Sequence, residues 1–200
     1  MTKRLQALLM TIAALALCQG VLAQTTAQDQ KHFAAQGLSF DYPAANELDD
    51  RSSTDVQHLV FQSKDRAQIM IVSRLVQIHT AEELTAARHE VVDSFVETMW
   101  NQLKQDDPNV ARSPAQIEVA GLQAQGVKMR AVLDNQPGNA EVYSLQLGSR
   151  LVVLSLIGTD KEIAASAATW LAIRRSLKIA ASTDASTMNL RPDTCYAGMF

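Results

Sequence analysis

Apolar and polar residues alternate along this chain with two different periods, and the switches between them mark out its elements. Leu38, Phe40 and Tyr42 alternate with Ser39 and Asp41, the period of two expected of a half-buried strand, which stops at Pro43. Residues 56–61 and 67–78 predict two further strands, joined by the turn-forming Ser63-Lys64-Asp65. The period then lengthens. Thr80 and Glu83 make a Thr-x-x-Glu capping box, which opens a helix. Leu84, Val91, Phe95, Met99 and Leu103 fall on one face of it, and Val92, Val96 and Trp100 widen the stripe. The pattern ends near Gln105, ahead of Asp106-Asp107-Pro108.

A run of strands follows, over 117–119, 127–133, 143–147 and 151–157, with turns at Pro137-Gly138-Asn139 and Gly148-Ser149. The last of these is almost wholly apolar, as a strand covered on both faces must be. Thr159 and Glu162 form a second capping box. The helix behind it carries Ile163, Ala167, Trp170, Ile173 and Leu177, and Arg174, Arg175 and Lys178 complement its C-terminal dipole. Trp100 and Trp170 lie on or beside apolar stripes, which assigns them to packing. Three strands, a long helix, four strands and a terminal helix predict an α+β fold, a twisted antiparallel sheet sandwiched by helices. A single domain is expected over 37–179. The Gln-rich segment 24–36, with Phe33 its one large apolar residue, reads as a flexible leader, and 180–200 as a loose tail.

The N-terminus changes the picture of where the chain works. Lys3 and Arg4 precede an apolar run over 5–18, broken by Gln6 and Thr11 and short of the roughly 20 residues a bilayer span needs. Gly20 and then Val21-Leu22-Ala23 complete the outline of a secretory signal cleaved between Ala23 and Gln24. The expectation is a periplasmic or secreted protein. Two alternatives are a retained anchor helix and a lipoprotein attached at Cys18, whose box has Leu17 where a small residue is required. Cleavage removes the two positive charges of Lys3 and Arg4 and moves the formal net charge from −3 to −5. Such a chain has no basic footprint for nucleic acid. Cys195 then stands alone, so the fold rests on its apolar core without an internal disulfide. In a polar tail that thiol is expected either to pair between two molecules or to lie inert.

Candidate chemistry is sparse. His89-Glu90-Val91-Val92-Asp93 matches half of the HExxH zinc motif, with Asp93 where the second His belongs, and reads more simply as a solvated helix pair. His32, His58 and His79 read as surface or edge residues. No G-x-S-x-G elbow or phosphate-binding glycine loop is present. No catalytic, cofactor or metal residue is assigned, and the chain is expected to act by binding. Recognition is assigned to the polar segments 44–55 and 106–115, with Asp49, Asp50, Arg51, Asp106 and Asp107 as contact residues suited to a basic partner protein. The competing expectation is a hydrolase or metal protein whose site gathers His58, His79, His89, Glu90 and Asp93 from a distance.

Two stretches carry a family resemblance. Gly37-Leu38-Ser39-Phe40-Asp41-Tyr42-Pro43 resembles the opening of PsbP-like domains, and 170–179, with its Ser176-Leu177-Lys178, resembles their terminal helix. Ala44-Ala45-Asn46 departs from the Trp that members often carry there. The resemblance, which extends to DcrB-type envelope lipoproteins, spans about residues 37–179 and implies an α/β/α sandwich serving as a non-enzymatic binding or assembly module of the envelope.

Overall fold

A computed structural model of the chain describes residues 29–76 and 80–179. Among the described residues, ten strands build two antiparallel sheets: β1 (Gln30–Ala35), β2 (Leu38–Pro43), β3 (Leu48–Asp50), β4 (Val56–Phe61), β5 (Gln68–Leu75), β6 (Ala111–Val119), β7 (Leu122–Leu133), β8 (Gln136–Leu147), β9 (Arg150–Thr159) and β10 (Lys178–Ile179). The main sheet runs β3-β4-β5-β9-β8-β7-β6, and β1-β2-β10 form the small one. Alternation sorts the side chains. Leu59, Phe61, Ile69, Ile71, Val152 and Leu154 point to one face, where Leu38 and Phe40 of β2 and Trp170 and Ile173 of the terminal helix cover them. Met129, Val142, Leu151 and Val153 point to the other, beneath Val92, Val96, Met99 and Leu103. β9 sits mid-sheet with both faces covered, which accounts for its continuous apolar run. The fold is the α+β sandwich expected, with the small sheet sharing one outer layer with a helix.

Both capping boxes form. Thr80 Oγ1 accepts from the Glu83 amide at 3.1 Å and opens α1 (Ala81–Arg88). Thr159 and Glu162 do the same for α3 (Asp160–Ser176). The long helix is not continuous, however. A π turn over His89–Asp93 separates α1 from α2 (Ser94–Asp106). Arg88 Nη2 donates to Ser144 Oγ at 3.2 Å, and Arg74 pairs with Glu90 at 3.6 Å, so polar contacts help to hold α1 and this turn on the sheet. Within the turn, Val91 and Val92 join the apolar packing.

Four expectations are corrected. Within the leader, Gln30–Ala35 is a strand paired along its whole length with β2, so the ordered domain begins ahead of Gly37. Its turn adopts positive φ at Gln36 (47°) and Gly37 (80°), the twist a tight hairpin requires. Two buried polar side chains clamp that turn: Gln57 Nε2 donates to the Ala35 carbonyl at 2.7 Å, and Arg150 Nη2 to the Gln36 carbonyl at 2.6 Å. The 44–55 loop contains β3 at the sheet edge, and the 106–115 loop gives way to β6 from Ala111. The turn placed at Pro137-Gly138-Asn139 lies earlier, at Asp134 (φ 49°) and Asn135 (φ 60°). Gly138 is inside β8, where a Cβ would come within 2.6 Å of the Gly158 carbonyl. Its glycine serves close strand contact rather than a bend.

Candidate functional site

One end of the main sheet collects several turns: the one between β4 and β5, the one between β7 and β8, the last residues of α2 and the start of α3. Between them lies an open depression of about 880 Å³, bordered by Gln62, Lys64, Arg66, Asp106, Asp134 and Glu162 over an apolar floor of Leu133 and Ile157. A smaller hollow of about 230 Å³ adjoins it, bordered by Asn46, Glu47 and Arg66, and a third of about 440 Å³ lies against Glu47, Asp49, Asp50 and Arg51. Gln62 borders all three, so they form neighbouring parts of one polar surface.

The five assigned contact residues divide accordingly. Asp49, Asp50 and Arg51 stand at the edge strand β3 and just beyond it. Arg51 Nε donates to Asp49 Oδ2 at 2.7 Å, and Asp50 Oδ1 accepts the Ser52 amide at 3.0 Å. Each partner of the Asp49–Arg51 pair is 53% exposed, so the pair contributes little to stability and is free to exchange partners. Asp106 ends α2 and borders the large depression. Asp107 is committed elsewhere. Its Oδ1 accepts the Asn109 amide at 2.8 Å and its Oδ2 the Val132 amide at 2.9 Å, which fastens the end of α2 to β7. Asp107 is therefore a structural cap, a role that Asp at a helix end before proline takes readily.

Other charges at this end are also spoken for. Glu162 Oε2 accepts from the Thr159 amide and hydroxyl at 2.8 and 2.9 Å, and Arg66 Nη1 donates to the Ala165 carbonyl at 3.1 Å. Asp160 binds Arg130 through both carboxylate oxygens, and this bonding holds its carboxyl below the usual range. Gln62, Arg66 and Asp134 escaped the sequence reading because each is an isolated polar residue beside a turn, and only the sheet brings them together.

The residues of the competing assembly lie apart. His58 is half-buried on β4, with Nε2 2.9 Å from Met70 Sδ. His89 and Asp93 are exposed on the π turn, and Glu90 pairs with Arg74. His32 meets Asp41 across β1 and β2 at 2.6 Å. His79 falls outside the described residues, as do the signal segment, Cys18 and Cys195. Among the described residues no three of His, Cys, Asp and Glu gather in a metal-binding group. Trp170 is buried against Tyr143, and Trp100 is half-buried with Lys104 Nζ 5.3 Å from its ring centre.

Neither a family model nor a curated protein matches the chain. Among solved structures it is similar to cyanobacterial PsbP (CyanoP) from Synechocystis sp. PCC 6803, at 16% identity and TM-score 0.46, over 81% of this chain and 99% of that one. It is also similar to a crystal structure from Bacteroides thetaiotaomicron VPI-5482, at 10% identity and TM-score 0.48, over 78% of this chain. That match spans 50% of the Bacteroides chain. LpqN of Mycobacterium tuberculosis, a protein involved in cell envelope biogenesis, matches at 14% identity and TM-score 0.42, over 76% of this chain and 91% of LpqN. A PsbP protein is thus among the folds that the chain is similar to.

Proposed function

We propose that this chain is an exported, non-catalytic binding module that holds a basic protein surface in the cell envelope. The observation that carries the reading is the shared border at Gln62, which joins Asp49, Asp50 and Arg51 on one side to Asp106 on the other. Residues 49–51 of one segment assigned to recognition, and Asp106 of the other, thus border hollows that share Gln62. The surface is shallow, open and polar, and its carboxylates are solvated. Those properties suit a protein partner that supplies Lys or Arg at the rim, where charge steers encounter and fixes register. Export follows from Lys3-Arg4, the apolar run and Val21-Leu22-Ala23.

The test compares the exported wild type with the variant Asp49→Asn/Asp50→Asn/Asp106→Asn after reversible crosslinking in the envelope of its own cells. The wild type should recover a defined partner, and the variant should recover at least tenfold less of it. Raised salt should weaken capture before crosslinking, since the contacts are exposed. The variant's thermal midpoint should hardly move, as surface changes of this kind stay within about 0.5 kcal/mol. Equal capture by both proteins overturns the reading. So does a hydrolytic activity that the wild type has and the variant lacks.

A further inference from the structure

The adjacent strands β4 and β5 carry a different chemistry, whose donors are not among the residues assigned to partner binding. We propose that His58 and Met70 form a binding site for a soft monovalent metal ion of the copper(I) class. The two residues sit on adjacent strands of the main sheet. Val60 pairs with Met70 and His58 with Val72, so the two side chains leave the same sheet face on a diagonal. There Nε2 of His58 and Sδ of Met70 point at one another, 2.9 Å apart. Both residues are half-buried, partly stripped of water yet reachable from solvent.

The donor set selects the metal. A neutral imidazole nitrogen and a thioether sulfur are poor ligands for magnesium or calcium, which take oxygen, and thioether sulfur is a hallmark of copper(I) sites. A filled d shell imposes no geometry, so two soft donors with room for a third meet such an ion's needs. Bonds of roughly 2.0 and 2.3 Å to nitrogen and sulfur would ask the pair to part by about an ångström. Methionine, unbranched and with three rotatable bonds, makes that adjustment without disturbing the strand.

Two neighbours support the assignment. Ser155 lies opposite Met70 in the sheet register, and its hydroxyl is buried with no hydrogen-bond partner. A buried hydroxyl left idle is uncommon, and this one faces the same side of the sheet as Met70, on the neighbouring strand. On the outer side, Asp49 pairs with Val60 in register and the Arg51 amide donates to the His58 carbonyl. Asp49 and Arg51 neutralise each other there at 2.7 Å. The surroundings therefore add no net charge, which accommodates one positive charge more easily than two.

The experiment uses the full chain with Cys18→Ser and Cys195→Ser, so that no thiol competes for metal. Silver(I) nitrate in chloride-free buffer serves as the redox-inert probe, followed by NMR and native mass spectrometry. Copper(I) is then added without oxygen against a chromogenic chelator. One ion per chain is expected, with shifts centred on the His58 ring and the Met70 methyl. Met70→Leu, which conserves volume, and His58→Phe should each weaken binding at least tenfold, with the melting profile of Met70→Leu unchanged. An ordinary packing contact would leave silver unbound, or bound equally well by wild type and Met70→Leu. Either result overturns the site. Because neither variant touches Asp49, Asp50 or Asp106, failure here is distinguishable from failure of the partner-binding reading.

Discussion

Tyr143 carries its phenol into the seam between β8 and α3, where the hydroxyl donates to Glu141 Oε2 at 2.9 Å. Lys128 Nζ holds the other oxygen of Glu141 at 2.9 Å. Burial raises the Tyr143 pKa well above its usual range, and the Glu141 carboxylate raises it further, against a smaller opposing effect of Arg174. The folded protein thus keeps a proton that the unfolded chain releases near pH 10. Its contribution is complete below that pH and is lost as pH rises through the folded pKa. Tyr143→Phe should therefore flatten the decline of stability above about pH 10, read as melting temperature across an alkaline series. An unchanged slope would remove Tyr143 from the account. At this scale the sequence was partly legible. The inward positions of Gln57, Ser73 and Arg150 follow from alternation, yet their polarity conceals that all three are buried. What they bond to comes from strands and turns far away in sequence, and no local pattern carries it. Asp107 shows the converse, since its polarity marks it as a surface contact while the Val132 amide makes it a cap.

Some elements with a local signal are legible in the sequence, while the Pro137-Gly138-Asn139 signal misleads because those residues lie inside β8. Both capping boxes form, because the two residues that make each one lie three apart and need nothing else. β9 was legible because a strand covered on both faces has no polar positions to hide it. β1 was not, since its only large apolar residue is Phe33 and its order derives from the full pairing with β2 and from the clamp on its turn. The terminal helix supplies the sharpest test of the core. Trp170 is 7% exposed, its ring centre 6.4 Å from that of Tyr143. Trp170→Ala should cost roughly 3–5 kcal/mol in denaturant unfolding. A loss below about 1 kcal/mol would show that the ring does not anchor α3.

For the whole molecule, the candidate site was legible as residues but not as a place. Asp49, Asp50, Arg51 and Asp106 were picked out by charge and position, while their neighbourhood depends on sheet order, which sets the β4–β5 turn with Gln62 between them. Export belongs to this scale as well. Intact-mass measurement of the protein recovered outside the cytoplasm should give a chain beginning at Gln24; a diacylated start at Cys18 would make it a lipoprotein instead. The π turn also shapes the molecule as a whole, because it is a record of length. A turn with one residue too many lets α1 and α2 meet the same sheet at different angles around their shared axis. Take one residue out between Arg88 and Ser94, and the helix would close without interruption while everything ahead of the gap swings by about 100°. Arg88 would leave Ser144 and Glu90 would leave Arg74, yet the buried stripe from Val96 onward would stay in place. Losing a residue here would thus turn α1 to another azimuth and disturb the packing of Val91 and Val92, while the body of the sheet and α2 stayed as they are.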